Sequence, residues 1–186
     1  FEVTDGWLKI TPLAITIKAD DKTKVYDNNS STDPALTATV TTVPENGTEP
    51  VYSLSREEGQ NVGEYVITVT ADAAANPNYT ISVENGTFTI TPAKLVVKIT
   101  GNNDTLTYNG AEQSVTGYTI TIPEGATLTE AEIVGPEQAA AIAKGINVDG
   151  GSNADKTYPM GLTAAAFSTT NKNYTVTFEV TDGWLK

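Results

Sequence analysis

The chain has no cysteine and no histidine among its 186 residues. Without cysteine it can form no disulfide, offer no thiolate nucleophile and build no Cys-bearing zinc site. Without histidine it lacks the usual general base at neutral pH and the commonest zinc ligand. Positive charge is scarce too: 11 Lys and Arg stand against 23 Asp and Glu, a net charge of −12. So acidic a chain is repelled by phosphate, so neither nucleic acid nor an anionic bilayer is an expected partner. No apolar run approaches the roughly 18 residues of a membrane helix, and no membrane insertion is expected of this segment. What is plentiful is Thr, roughly one residue in six, which suits half-buried strands.

Residues 1–9, Phe-Glu-Val-Thr-Asp-Gly-Trp-Leu-Lys, recur unchanged as residues 178–186. An identical nine-mer 177 residues apart marks one unit of a tandem array with a short overlap. A weaker repeat lies inside. Asn76-Pro77-Asn78-Tyr79-Thr80 echoes Asn171-Lys172-Asn173-Tyr174-Thr175, Ile10-Thr11-Pro12 returns as Ile90-Thr91-Pro92, and Tyr26-Asp27 parallels Tyr108-Asn109. The expected organisation is therefore a hairpin copied from a preceding repeat (1–9), a first β domain (10–92) and a divergent second one (93–186). The second is longer by an insertion at about 126–151.

Residues 13–19 alternate apolar and polar, the period of a strand with one buried face. Further strands are expected at 35–42, 51–55, 64–70, 79–84 and 87–91. In the second half they are expected at 95–100, 115–122, 157–163 and 174–181. Asn85-Gly86 reads as a two-residue hairpin turn, and Asp182-Gly183 occupies the same place in the second half. That register puts Ile81, Val83, Phe88 and Ile90 inside, and pairs Val180 with Leu185 on the core face. The Ala- and Glu-rich stretch 129–144 reads as a short helix or an irregular loop, interrupted at Gly135-Pro136. Short strands with a turn every 8–12 residues argue an all-β fold of two tandem immunoglobulin-like β-sandwiches. Gly63-Glu64-Tyr65 resembles the Tyr-bearing corner of such sandwiches. A β-grasp is the competing architecture.

The first half resembles the MBG domains of bacterial surface proteins. The resemblance rests on residues 19–27 (Ala-Asp-Asp-Lys-Thr-Lys-Val-Tyr-Asp), residues 52–59 (Tyr-Ser-Leu-Ser-Arg-Glu-Glu-Gly), Asn61-Val62-Gly63-Glu64-Tyr65, Asn76-Pro77-Asn78-Tyr79 and residues 85–92. The second half looks like a divergent sister through Thr107-Tyr108-Asn109-Gly110 and Val180-Thr181-Asp182-Gly183-Trp184. The resemblance implies extracellular modules in long arrays, anchored to Gram-positive cell walls and described as adhesins. It carries no catalytic residues.

The residues agree that an enzyme is not expected. The pairs Asp20-Asp21 and Glu57-Glu58 are strand neighbours, whose side chains point to opposite faces. Asp20, Asp21 and Asp27 with Asn28 and Asn29 surround one turn, and hard cations want clustered oxygens, yet the spacing of a calcium loop is absent. A solvated polar turn is the expected role, with no metal and no cofactor. Surface domains of this kind sometimes carry a Lys–Asn isopeptide bond. Lys18 and Lys98 occupy matching positions on the first strands of the two halves, but alternation turns Lys18 outward. Ligand binding remains the rival to a structural role, since aromatic rings stack on sugars. The candidates are Trp184 and its copy Trp7. The expected function is a stalk module projecting a distal binding region, with adjacent repeats of the same array as partners. The alternative is a unit that itself binds host mucin glycan or an extracellular protein.

Overall fold

The computed structural model describes residues 1–41, 43–148 and 155–186. The chain divides into two compact units, Phe1–Thr91 and Pro92–Lys186. Both are all-β; the helical elements among the described residues are three-residue 3-10 turns. A β-grasp therefore has no helix to wrap.

The first unit contains β1 (Leu13–Ala19), β2 (Lys22–Val25), β3 (Ala38–Val40), β4 (Ser53–Arg56), β5 (Gly63–Thr70), β6 (Tyr79–Glu84) and β7 (Gly86–Thr91). They form two sheets, in the orders β3-β1-β6 and β2-β7-β5-β4. Alternation along β1 buries Ile15, Ile17 and Ala19, and these meet Ile67 and Val69 of β5 and Phe88 and Ile90 of β7. Tyr65 closes the loop before β5: its hydroxyl donates to the Asn61 carbonyl at 2.7 Å. That is the tyrosine corner expected of a sandwich. Gly59, at φ +145°, leaves room for the Tyr65 ring, which a Cβ would meet at 2.2 Å.

The Asn85-Gly86 hairpin does not form. β6 pairs with β1 in one sheet and β7 with β2 and β5 in the other, so the chain passes from sheet to sheet at Asn85. β1 and β2 make the same passage at Asp20-Asp21. Both ladders are parallel and share one register, from Leu13 opposite Tyr79 to Val25 opposite Thr91. Two long strands thus bend together without losing step. The bend demands close approach, because a Cβ on Gly86 would lie 2.7 Å from the Ala19 carbonyl oxygen. Asp21 fastens it, accepting a hydrogen bond from the Thr87 N–H at 2.7 Å. The Asn-Gly signal marked a place that needs glycine, but for close approach to Ala19 and not for a positive φ. Val83, placed inside by the hairpin register, is 47% exposed at the sheet margin.

The second unit repeats the construction with β8 (Ala93–Gly101), β9 (Asn103–Asp104), β10 (Gln113–Thr116), β11 (Tyr118–Thr121), β12 (Ile133–Val134), β13 (Ile142–Gly145), β14 (Tyr158–Pro159), β15 (Ser168–Thr169), β16 (Tyr174–Thr181) and β17 (Trp184–Leu185). β16 runs parallel to β8 and β17 parallel to β9, again in one register, from Ala93 opposite Tyr174 to Asp104 opposite Leu185. Asp182-Gly183 is therefore a corner and not a hairpin turn. Here both strands carry glycine: a Cβ on Gly101 would lie 2.3 Å from the Gly183 nitrogen. Val97, Ile99, Leu128, Leu162 and Phe167 form the core, with Val176, Phe178 and Val180 packed against it. Phe167 meets Tyr118 edge to face at 5.2 Å. The strand expected at 115–122 is broken at Gly117, whose φ is +87°. Within 129–144 there is one 3-10 turn, Glu130–Glu132, closed by a Thr129/Glu132 capping box, and then β12 and β13. Gly135 leaves room for the Phe167 ring, which lies 2.5 Å from where a Cβ would be. Residues 149–151 of the expected insertion, and Thr42 of the expected strand 35–42, lie outside the described residues.

Residues 1–9 form no strand, and Phe1, Val3, Trp7 and Leu8 are exposed. The expected hairpin is corrected by the partners of its copy. At 178–186 the same sequence is held by β8 and β9, and in the first unit β1 and β2 are already paired with β6 and β7.

Gly86→Ala should cost about 1–3 kcal/mol through overpacking at the corner. The first unit should then melt several degrees lower, at about 4–8 °C per kcal/mol for a unit of this size. Gly63→Ala, where nothing lies within 4 Å of the added methyl, is the control and should melt near the parent. Equal melting temperatures for all three chains would refute the close corner.

Candidate functional site

Two places concentrate polar chemistry. In the first unit β2, the turn Ser30–Thr32 and the end of β4 converge on Asp33. Arg56, the one arginine of the sequence, reaches it from β4, with Nε at 3.0 Å and a terminal nitrogen at 2.5 Å from one carboxylate oxygen. Lys24 from β2 contacts Asp27 at 2.7 Å and Asp33 at 3.0 Å. Its ammonium also donates to the Asn29 carbonyl and the Gln60 amide oxygen. The Lys24 and Arg56 side chains are only 8% and 13% exposed. The guanidinium lies 4.6 Å from the Phe88 ring centroid and 5.4 Å from that of Tyr65, so its charge faces the core as well as Asp33.

The hydrogen bond from Lys24, then that from the Thr32 hydroxyl, pulls Asp27 from its ordinary 3.8 to about 2. Burial alone would raise the Asp33 carboxyl, but Arg56 and Lys24 outweigh it and hold it low. Burial likewise works against the Lys24 charge, and the two aspartates outweigh it and raise its pKa. Asp27, Asp33 and Lys24 are held charged, and Arg56 pairs with Asp33. That is the chemistry of a structural lock. A general acid or base needs a group poised to change its charge.

In the second unit Trp184 is half-buried, paired with Pro159 on one side and Asn103 on the other, while Leu185 faces the core at 3% exposure. The expected alternation of the two holds. A groove of about 400 Å³ lies beside the ring, bordered by Asp155, Thr157, Pro159 and Lys186. Asp182 also borders it, but its two oxygens accept from the Gly161 and Leu162 N–H groups at 2.9 and 2.8 Å. Trp7 is 82% exposed on the segment 1–9, with none of the ladder that holds Trp184. The two candidates belong to separate units.

The Asp and Asn residues around the first turn do not converge. Asp20 accepts from the Thr37 and Thr39 hydroxyls at 2.5 and 2.8 Å, and these bonds hold its carboxyl below the ordinary range. Asp21 fastens the corner, Asp27 the lock, Asn29 caps the 3-10 turn, and Asn28 supplies a left-handed φ of +52°. Among the described residues no three acidic side chains are placed to share a metal ion. Lys18 is exposed and lies 3.9 Å from Glu84, its neighbour across the β1–β6 ladder. Lys98 is exposed as well. The two are not matched positions: Lys18 precedes its corner residue, Ala19, by one place and Lys98 precedes Gly101 by three. No buried Lys–Asn pair is built from either.

What these features define is a small all-β repeat module whose charged groups serve its own fold. Residues 15–89, within the first unit, match the family model of the MBG domain (YGX type). The resemblance read from the motifs is thereby borne out over that unit. The family points to a repeat module of a surface protein, and MBG domains are not known as enzymes. No curated protein and no solved structure matches the chain. No helix among the described residues is long and apolar enough to cross a membrane. Sequence reading missed Lys24, Asp33, Arg56 and Gln60 as a group. The available signal was the lone arginine in a chain of net charge −12, inside one of the motifs that carried the resemblance.

Asp27 and Asp33 have lowered pKa values, so their contribution to stability is present above their ordinary value and lost as pH falls. The first unit should lose melting temperature progressively between about pH 4 and pH 2, the interval between the ordinary and folded values of Asp27. Asp27→Asn should lower the melting temperature at pH 7 and flatten that acid slope. Circular dichroism melts across the interval decide it: an unchanged slope in the variant would show that the Lys24 pairing does not carry the acid sensitivity.

Proposed function

We propose that the chain is a stalk module of a tandem-repeat bacterial surface adhesin, carried outside the cell on a wall-anchored protein. It would project a distal binding region and perform no chemistry of its own. The observation that carries this reading is the identical nine-mer at 1–9 and 178–186, together with the same bent-strand frame built twice within one period.

The supporting physics is in the junction. β7 ends at Thr91 and β8 begins at Ala93, so Pro92 alone lies between two strands. Proline fixes its own φ and drives the preceding residue towards an extended conformation, which leaves little chain for a flexible linker. Repeats that each bury their own core extend an array by addition. The net charge of −12 opposes lateral association between neighbouring arrays. Partnered charges and an Arg56 packed on aromatic rings suit a module that must stay folded without disulfides.

Small-angle scattering on chains of one, two and three repeats tests the reading. The maximum dimension should grow by an equal increment with each repeat. A plateau would contradict the stalk and turn attention to recognition at the Trp184 groove.

A further inference from the structure

The last strands of the two units stop at different points beyond their corners. Gly86 and Gly183 are equivalent, since each packs against the corner residue of the first strand, Ala19 or Gly101. Phe88 then corresponds to Leu185: both are buried, opposite Tyr65 and Tyr158 respectively. Thr89 corresponds to Lys186. In the first unit the strand continues into Ile90, which is 1% exposed between Lys24 on β2 and Gly63 on β5. The second unit has no such residue within the chain.

Its place is a groove of about 190 Å³. An aliphatic side chain removed from a core leaves a space of about 150 Å³. The groove is lined by Leu106 and Lys156, which correspond to the two residues flanking Ile90, and by Tyr108, Ile146 and Tyr158. Its apolar lining is uncovered: Leu106 is 38% exposed and Ile146 46%. The contrast between Tyr26 and Tyr108, matched in the sequence repeat, is sharper. Tyr26 is 6% exposed and its N–H donates to the Thr91 carbonyl at 2.8 Å, whereas Tyr108 is 58% exposed. The ladder is open at the same place, with the Leu106 N–H on the Lys186 carbonyl at 2.7 Å as its last rung.

The sequence contains what fits. Leu8-Lys9 repeats Leu185-Lys186 and is followed by Ile10-Thr11-Pro12, as Phe88-Thr89 is followed by Ile90-Thr91-Pro92. In this chain Ile10 is 86% exposed and in no strand. We infer that the groove beyond β17 is an acceptor for the Ile10-Thr11 segment of a following copy of this chain, joined to Lys186. Ile10 of that copy fills the space between Leu106 and Lys156, and the Thr11 carbonyl takes the Tyr108 N–H. Each repeat then completes the core of the one before it, and the true boundary between repeats falls after Thr11. The inference rests on the tandem arrangement and not on what the array does.

The test adds Ile-Thr-Pro after Lys186 of the full chain and compares it with an added Ser-Thr-Pro and with the parent. Hydrogen exchange at the Tyr108 amide reads the new rung, and thermal melting reads the filled groove. The Ile extension should slow Tyr108 exchange by about tenfold and raise the melting temperature of the second unit. The Ser extension should do much less of both, and Leu106→Glu should abolish the gain in the Ile-extended chain. Equal exchange at Tyr108 in all extended and parent chains would overturn the inference. So would a gain that Ser supplies as well as Ile. Scattering on multiple repeats reads the stalk role separately, so either result can fail alone.

Discussion

The parallel pairing of each unit's first strand with its last, carried round a bend, is the constraint on which both units depend. A parallel ladder between chain-distant segments has to be paid for in loop entropy before any contact is made. It is held here by a register that survives the corner, so both sheets of a unit are fixed relative to each other by the same two strands. The bend works only where backbone meets backbone. Ala19 against Gly86, and Gly101 against Gly183, leave no room for a further side chain. Once these strands are in step, the alternation of β1 and β7 delivers Ile15, Ile17, Phe88 and Ile90 to one core.

The charged lock in the first unit is built on that frame. β2 exists as a strand because β7 offers it a parallel edge, and Lys24 sits on it at the position opposite Ile90. Arg56 arrives from β4 across β5. Asp33 joins the two cations, so the loop that follows the first bent strand is tied to the far edge of the same sheet. A partly buried cluster of this kind adds little net stability against an apolar alternative, but breaking one member leaves a charge stranded. Its value is to hold an otherwise irregular loop in one place in a chain that has no disulfide to do so. The second unit has no counterpart at these positions: Leu106 and Tyr108 replace a charged Lys24 and a buried Tyr26 with groups that await cover.

The strands with clear alternation were legible in the sequence. β1, β5, β6 and β16 lie where period-two patterning put them, because one face of each meets a core. Strands of two to four residues, β2, β9, β12, β13 and β15, escaped notice because pairing, and not pattern, makes them strands. The hairpin turns were misread for a physical reason. Asn85-Gly86 and Asp182-Gly183 do mark places where a side chain cannot be tolerated, and a hairpin is the local explanation, whereas the corner is a tertiary one that needs Ala19 or Gly101 to be seen. The recurrence of the nine-mer showed a repeated sequence but not the partners that hold it. The partners of 178–186 lie some 80 residues back in the chain, a separation that no local pattern in the nine-mer signals. Tyr65 was readable because its corner is local, four residues from Asn61.

The most direct test of the bent-strand frame is a set of through-space proton contacts measured by nuclear magnetic resonance on the full chain. Contacts across both ladders of the first unit should share one register, Ile17 with Val83 before the corner and Lys22 with Phe88 after it. Contacts between Glu84 and Thr87, the pair that a two-residue turn at Asn85-Gly86 would bring face to face, together with loss of the Lys22–Phe88 contacts, would contradict the account.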